Sequence, residues 1–176
     1  MIITAILLFL IIIIDQVSKY LIEISGPAGN VIFSIDHFLT IEKCYNTGAA
    51  FGLGAGYTWI FVVISFLASI FLGYLATKID WKHAKFSGIM LCLAFGGCVG
   101  NLIDRTIACF WPHLREGVID MISFYPFDWF MSLFHVEASI FNLADAFLII
   151  GLIGYCIDYL FFYDKRAKKY GYKNYR

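Results

Sequence analysis

The chain has 176 residues, 61% of them hydrophobic and 15% charged, with a mean hydropathy of +0.78. Soluble domains carry about 45–50% apolar and about 25% charged residues, so a freely soluble fold is excluded, and 19% aromatic content excludes disorder. Thirteen cations balance thirteen anions, which argues against a nucleic-acid partner and leaves a one-domain integral membrane protein.

A membrane helix needs about 20 mostly apolar residues. The chain opens on MIITAILLFLIIII, too short alone, and becomes a span over about 2–24 once DQVSKYLIEI is added. Its outer half then carries Asp15, Lys19 and Glu23. Asp15 and Lys19, acid first at i,i+4, make a favourable internal ion pair. A cleaved signal peptide is the rival reading of this start, but the basic n-region and small-x-small cleavage site it needs are missing.

An outer segment of about 25–56 follows the breaker Ser25-Gly-Pro-Ala-Gly29. Phe33, Ile35, His37, Leu39 and Ile41 alternate with Ser34, Asp36, Thr40 and Glu42, a period of two that predicts strands. A small extracytoplasmic sheet resting at the membrane surface is the expected arrangement. Asn46, before Thr47-Gly48, predicts a turn that presents an amide toward the second helix.

The second span, about 57–77, runs without a charge through WIFVVISFLASIFLGYLA. The third, about 86–103, is polar and glycine-rich toward its far end. Its Gly96-Gly97-Cys-Val-Gly100 permits close backbone approach, for tight helix packing as much as for binding. A second outer segment, about 105–137, is dense in Trp, Phe and Tyr and suits an amphipathic piece lying on the interface. The fourth span, about 138–163, carries Asp145 near its start and Asp158 near its end. Nine of the 13 cations fall in KIDWKHAK and in the tail after span four; Lys43, Arg105 and Arg115 lie on the other side. Both termini are therefore expected in the cytoplasm, with four transmembrane helices and two outward segments.

Polar residues in a membrane helix need a reason, since an aspartate at its centre costs about 2.5–3.5 kcal/mol. Asp15, Asn101, Arg105, Asn142 and Asp145 all fall toward the outer helix ends, and Asp120 lies in the outer loop between spans three and four. Several helices thus aim polar groups at one place. Asn101 and Arg105 at i,i+4 are expected to extend one face, and Asn142 and Asp145 at i,i+3 project together. For Asp145 the plain alternative is a carboxylate favoured by the helix dipole. For Asp120, in GVIDMISF, it is a surface turn.

Together the two aspartates offer a chemistry. Carboxylates about 4.5 Å apart at an effective dielectric of about 20 repel by nearly 4 kcal/mol, so one stays protonated near neutrality. Such a pair can deprotonate a water with one member and protonate a carbonyl or leaving amine with the other. It needs neither metal nor nucleophilic side chain. Other chemistries fit worse. There is no HExxH, no paired CxxC and no GxSxG, and the four His are scattered. Ser18 and Lys19 point apart, and Ser87-Gly88 starts helix three far from the other polar groups. The five Cys read as small apolar packing groups.

Five segments in this order resemble lipoprotein signal peptidase (signal peptidase II): Asp15-Gln-Val-Ser-Lys-Tyr20, Asn46-Thr-Gly-Ala-Ala-Phe-Gly52, Gly96-Gly-Cys-Val-Gly-Asn-Leu-Ile-Asp-Arg105, Gly117-Val-Ile-Asp-Met-Ile122 and Phe141-Asn-Leu-Ala-Asp-Ala146. Singly each is weak. Ordered on four spans they are specific, and they cover most of the chain. The resemblance implies a four-helix bundle with a small extracytoplasmic sheet, acting in the bacterial plasma (inner) membrane with its active site on the extracytoplasmic side. It implies an aspartyl endopeptidase without cofactor or metal that cuts a prolipoprotein before its diacylglyceryl-bearing cysteine. Its partners would be lipid-modified prolipoproteins and membrane lipids, with the chain working as a monomer. Asp120 and Asp145 match the catalytic pair. Asp15, Lys19, Asn46, Gly48, Asn101, Arg105 and Asn142 match the positions that bind substrate or support the pair. Asp104 falls in the same motif, but Arg105 is expected to take the Asn101 face. The connections from Arg105 to Asp120 and from Asp120 to Asn142 look longer than in compact members of the family, and the aromatic outer segment would act as a lid.

Two other classes compete. An ion- or proton-coupled transporter subunit predicts carboxylates spread through the membrane, and Asp158 fits it. A structural assembly subunit predicts tolerance of every Asp→Asn change.

Overall fold

The computed structural model describes residues 2–48, 57–133 and 140–170. In chain order its elements are α1 (Ile2–Glu23), β1 (Val31–Ile35), β2 (Leu39–Asn46), α2 (Thr58–Thr77), α3 (Lys85–Phe110), β3 (Val118–Phe124), α4 (Tyr125–Ser132) and α5 (Leu143–Tyr170). α1, α2, α3 and α5 are long and apolar enough to cross a membrane. At 1.5 Å per residue, the 22 residues of α1 and 20 of α2 extend about 33 and 30 Å, the thickness of the hydrocarbon core.

Two helices outrun their hydropathy. α3 continues past Ile103 to Phe110, because the charges that end the apolar run are paired rather than bare. Asp104 meets Lys19 and Arg115, and Arg105 donates to Ser65 Oγ at 3.2 Å. α5 continues past Tyr163 to Tyr170 through DKRAKK, whose residues are good helix formers and whose cations suit a helix C-terminus. Its start is later than expected, at Leu143. Of the five residues expected before it, 138 and 139 lie outside the described ones, while Ile140, Phe141 and Asn142 are not helical because Phe141 is bridged to Ile122.

α3 is the hub. It packs against α1, α2 and α5, and 56% of its apolar window is buried, against 11–22% in the other three spans. Those three turn Phe9, Phe66, Phe71 and Leu160 outward, as lipid-facing helices do. Lipid offers no hydrophobic drive between helices, so close backbone approach has to supply the contact. Gly97 and Gly151 provide it between α3 and α5. A Cβ on Gly97 would collide with the Ala144 carbonyl and sit 2.8 Å from Leu148 N, and one on Gly151 would strike the Ala94 amide. The glycines of α3 thus serve packing.

The alternating segment folds as an antiparallel hairpin, with His37 at a φ of 55° in its turn. A third strand, β3, forms where the sequence predicts an outer loop. Val118–Phe124 pairs antiparallel with β2 to make a sheet of order β1-β2-β3. Its apolar run hides the alternation that would mark a strand. Ile119 and Met121 face Ile22 of α1, while Asp120 lies directly opposite Cys44 on the other face. A bulge between Ile41 and Cys44 sets that register. Beyond β3, Phe141 continues the pairing as an isolated bridge to Ile122. That bridge carries the start of α5 to the strand that bears Asp120. The aromatic outer segment includes α4, an eight-residue helix with Pro126 in its first turn and no buried residue.

Candidate active site

Asp120 is delivered by β3 and is 2% exposed. Its Oδ2 accepts from Asn46 Nδ2 at 3.0 Å, the diagonal neighbour on the same sheet face. Gly48 N–H donates to Asn46 Oδ1 at 3.0 Å, closing a small turn that leaves the Asn46 amide nitrogens facing the carboxylate. The predicted turn is therefore present, but its amide points to Asp120. The second helix instead reaches this turn through Thr58 Oγ1, which donates to the Thr47 carbonyl at 3.3 Å. The rest of the glycine-rich segment, 49–52, lies outside the described residues.

Asp145 is set by the start of α5. Asn142 Oδ1 accepts from Asp145 N–H at 3.0 Å, and Asp145 Oδ2 accepts from Asn142 N–H at 3.2 Å. This is a reciprocal capping box, with Asn142 as the cap and Asp145 three residues on. The next orphan donor, Ala144 N–H, is met by Asp15 Oδ1 at 3.0 Å. Asp15 therefore holds the end of α5. It lies behind the two aspartates, not between them.

A chain of amides joins the carboxylates. Asn142 Nδ2 donates to Asp120 Oδ1 at 2.7 Å and to Asn101 Oδ1 at 3.1 Å. Asn101 Nδ2 donates to Asp145 Oδ1 at 2.7 Å. Lys19 Nζ donates to Asn101 Oδ1 and Asp15 Oδ2, each at 2.9 Å, and lies 2.7 Å from Asp104 Oδ2. Lys19 thus hydrogen-bonds two acceptors and is ion-paired with Asp104 as a third neighbour. With its oxygen claimed by Lys19 and Asn142, the Asn101 amide can only turn its nitrogen toward Asp145. Lys19, Asp15, Asp104 and Asn142 are all fully buried.

The expected internal pair of Asp15 and Lys19 is present, and a third member, Asp104, joins it. The expectation that Arg105 shares the Asn101 face is corrected. Asn101 and Asp104, at i,i+3, both meet Lys19. Arg105 turns instead toward α2, with its guanidinium 6.0 Å from the Phe61 ring centroid and donating to Ser65. The spacing itself held the signal for Asp104: Asn101-Leu-Ile-Asp104 repeats the pattern of Asn142-Leu-Ala-Asp145. Ser65 and Arg115 carried no such mark.

Asn46, Arg105, Asp120 and Asp145 line one cavity of about 890 Å³. Its remaining wall is apolar, with Phe127 and Phe130 from α4 and Ile149 and Ile150 from α5. The other predicted residues, Asp15, Lys19, Gly48, Asn101 and Asn142, stand behind this wall and hold it. Burial, reinforced by the charge of Asp145, pushes the Asp120 carboxyl up to about 7, against the opposing pull of the Asn46 and Asn142 amides. A carboxyl poised there can hold a proton for transfer near neutral pH. Among the described residues no three His, Cys, Asp or Glu side chains converge as a metal set would.

Asp158 sits elsewhere, 13 residues along α5 from Asp145 and so about 20 Å away. Ser87 Oγ donates to it at 2.6 Å and Arg166 Nη1 at 2.7 Å. Ser87, at the start of α3, is thus far from the Asp120 and Asp145 cluster, as expected. It belongs to this second, paired cluster.

Comparison with known proteins completes the description. A family model described as signal peptidase (SPase) II matches residues 7–161. Proteins named lipoprotein signal peptidase from Staphylococcus aureus strains MRSA252 and JH9 are each 34% identical over 143 residues, covering 81% of this chain and 78% of theirs. Two solved structures, both titled as bacterial membrane enzymes obtained by the in meso method, superimpose closely. One, at 2.3 Å resolution, has a TM-score of 0.73 and 28% identity over 98% of this chain and 94% of its own. The other, at 1.9 Å, has a TM-score of 0.71 and 31% identity over 90% and 93%.

Proposed function

The chain belongs to the signal peptidase II family, and from that premise we propose that Asp120 and Asp145 are its catalytic dyad. The enzyme is an aspartic peptidase that removes signal peptides from prolipoproteins. The observation that carries the assignment is the pair itself: two carboxylates on one cavity wall, tied to one residue, Asn142, by its side-chain amide and its backbone N–H.

In this reading Asp120 holds the shared proton and Asp145 is the base. Asp145 takes a proton from water as its oxygen attacks the scissile carbonyl carbon, and Asp120 gives its proton to the carbonyl oxygen. The resulting diol collapses as the C–N bond breaks. Asp145 passes its proton to the leaving amine, and a diol hydroxyl returns one to Asp120. The dyad ends as it began. Fixed amides around the pair hold this geometry without reorganising at each step.

The scissile bond is cut just before the cysteine that bears the diacylglyceryl group. The polar end of the cavity takes the peptide and Arg105 faces it. The acyl chains run along the apolar wall made by α5 and α4, where a lipid stays out of water. α4 and the outer hairpin rest at the interface, supported by exposed Phe33, Phe38, Tyr125 and Trp129, and α4 acts as the lid. The site opens on the extracytoplasmic side and both termini are cytoplasmic, supported by the crowding of Lys and Arg near the α2–α3 turn and the C-terminal tail. The chain works as a monomer in this reading. The transporter reading has lost its support: Asp158 is locked to Arg166 and Ser87.

Asp120→Asn and Asp145→Asn, each purified in detergent, are expected to leave a diacylated precursor uncut while remaining folded. The parent is expected to cut it in preference to the unmodified precursor. Substantial turnover by either variant would remove the dyad.

A further inference from the structure

Arg115 lies in the connection between α3 and β3, outside the cavity lining and outside the five motif segments. Its guanidinium nevertheless reaches the buried Asp104 and pairs with Oδ1. The other oxygen of Asp104 faces Lys19 at 2.7 Å. One carboxylate is thus shared between two cations, one from the loop and one from α1. Gln16 Nε2 also donates to Asp104 Oδ1, at 3.4 Å.

We propose that Arg115 is a positioning residue for the catalytic dyad, acting through Asp104 and Lys19 on the Asn101 amide that holds Asp145. The inference rests on the dyad assignment above. Each link is a contact: Arg115 to Asp104, Asp104 to Lys19, Lys19 to Asn101 Oδ1, Asn101 Nδ2 to Asp145 Oδ1. The charges explain why the outermost link matters. Asp15, Asp104 and Lys19 alone carry a net negative charge in a fully buried cluster, and Arg115 makes it neutral. Without Arg115, Asp104 has one cation left and draws the Lys19 ammonium away from Asn101, whose oxygen then keeps only the Asn142 donor and is held less firmly.

Arg115 also anchors the strand. Two residues on, Gly117 lies against the Asn46 carbonyl, where an added Cβ would sit 2.7 Å from the oxygen. The chain is thus held at Arg115 and again at Gly117 immediately before Val118, Ile119 and Asp120 enter the sheet. One guanidinium therefore steadies both carboxylates, Asp145 through amides and Asp120 through the backbone. Among the described residues, the charged and titratable groups packed around the dyad include Asp15 and Lys19 from α1, Cys44 from β2, Asp104 and Arg105 from α3, and Arg115 behind Asp104.

The test compares Arg115→Gln, which keeps a donor without the charge, Arg115→Met, which removes both, and Arg115→Lys, which keeps the charge. Each is assayed as purified full-length enzyme on a diacylated precursor, with kcat and KM measured from pH 5 to 9. Arg115→Gln is expected to lower kcat about tenfold to a hundredfold, as slight displacement of catalytic groups does, with KM within about twofold. The added negative field favours the protonated dyad, so its kcat–pH profile is expected to move to higher pH. Arg115→Met is expected to follow Gln or, if it does not accumulate, to leave Gln to decide. Arg115→Lys is expected to restore most of kcat and the parent profile. Parent-like kcat in Arg115→Gln overturns the proposal. So does an equal loss in Gln and Lys with an unmoved profile, which would mark packing alone. Asp120→Asn and Asp145→Asn run alongside: turnover by those variants would defeat the dyad assignment, whereas their inactivity beside a normal Arg115→Gln defeats only this inference.

Discussion

Replacing Asp120 by asparagine is expected to stabilise the protein in a pH-dependent way while stopping its chemistry. The side chain is 2% exposed, and its carboxyl is pushed up to about 7 from the ordinary 3.8. The folded state therefore binds this proton more tightly than the unfolded chain does. The associated stability is complete below 3.8, falls as the pH rises, and is gone once the pH passes about 7. With the folded carboxyl already half ionised at pH 7, the interval from pH 5 to pH 7 removes about 2.3 kcal/mol from the parent at 1.36 kcal/mol per pKa unit. Asparagine does not ionise and escapes that loss. It brings a constant penalty instead, because Asn46 and Asn142 both donate to Asp120 and an amide offers only one acceptor oxygen. That penalty does not vary with pH, so the difference between the two proteins isolates the titration. At about 2–4 °C per kcal/mol for a chain of this size, the Tm of Asp120→Asn minus that of the parent should rise by about 5–9 °C between pH 5 and pH 7, then level off. Thermal unfolding of both proteins in one detergent across pH 5–9 measures it. A difference that stays flat, or that shrinks as the pH rises, would refute the claim that burial and Asp145 hold a proton on Asp120.

Two further changes test the supports. Asn142→Ala removes a 2.7 Å donor from Asp120, and a hydrogen bond to a charged group contributes about 1.5–3 kcal/mol. The alkaline limb of the kcat–pH profile should move up by about one to two units, with about 1 kcal/mol of stability lost with the helix cap; an unmoved limb, or one shifted downward, would contradict this. Gly97→Val pushes a side chain into the Ala144 carbonyl and the Leu148 amide, backbone that cannot rotate aside. It is expected to destabilise the bundle by more than the about 1–3 kcal/mol typical of overpacking, and a parent-like Tm would show that α3 and α5 are not in the contact described.

Much of the architecture was legible because a membrane span is a local property of about 20 residues. α1 and α2 fall where hydropathy puts them, and the alternation around Ile35 to Ile41 marks the hairpin. The ends of α3 and α5 were misjudged for one reason: hydropathy stops at the first charges, whereas a helix stops where its backbone loses partners. Asp104 and Arg105 are paired and let α3 run on. The strand through Asp120 escaped notice because Val118, Ile119, Met121 and Ile122 give a continuous apolar run, which periodicity cannot assign.

The candidate site divides the same way. Asp120 and Asp145 stood out as carboxylates in apolar surroundings, and Asn142 to Asp145 is a local pattern whose geometry follows from a helix start. That Asp15 would hold the end of α5, that Lys19 would turn the Asn101 amide, and that Arg115 would reach Asp104 are contacts between segments far apart in the chain.

What the amino-acid order determined alone was the set of pieces: four membrane-length helices, a hairpin, and acidic and amide groups too expensive to leave unpartnered in lipid. Which of those groups face the cavity and which stand behind it was decided only when β3 joined the sheet and Phe141 bridged to it. Hydropathy and capping act over a few neighbouring residues. The direction of a buried amide depends on every donor and acceptor around it, and those are supplied by α1, α3, β2, β3 and α5 together.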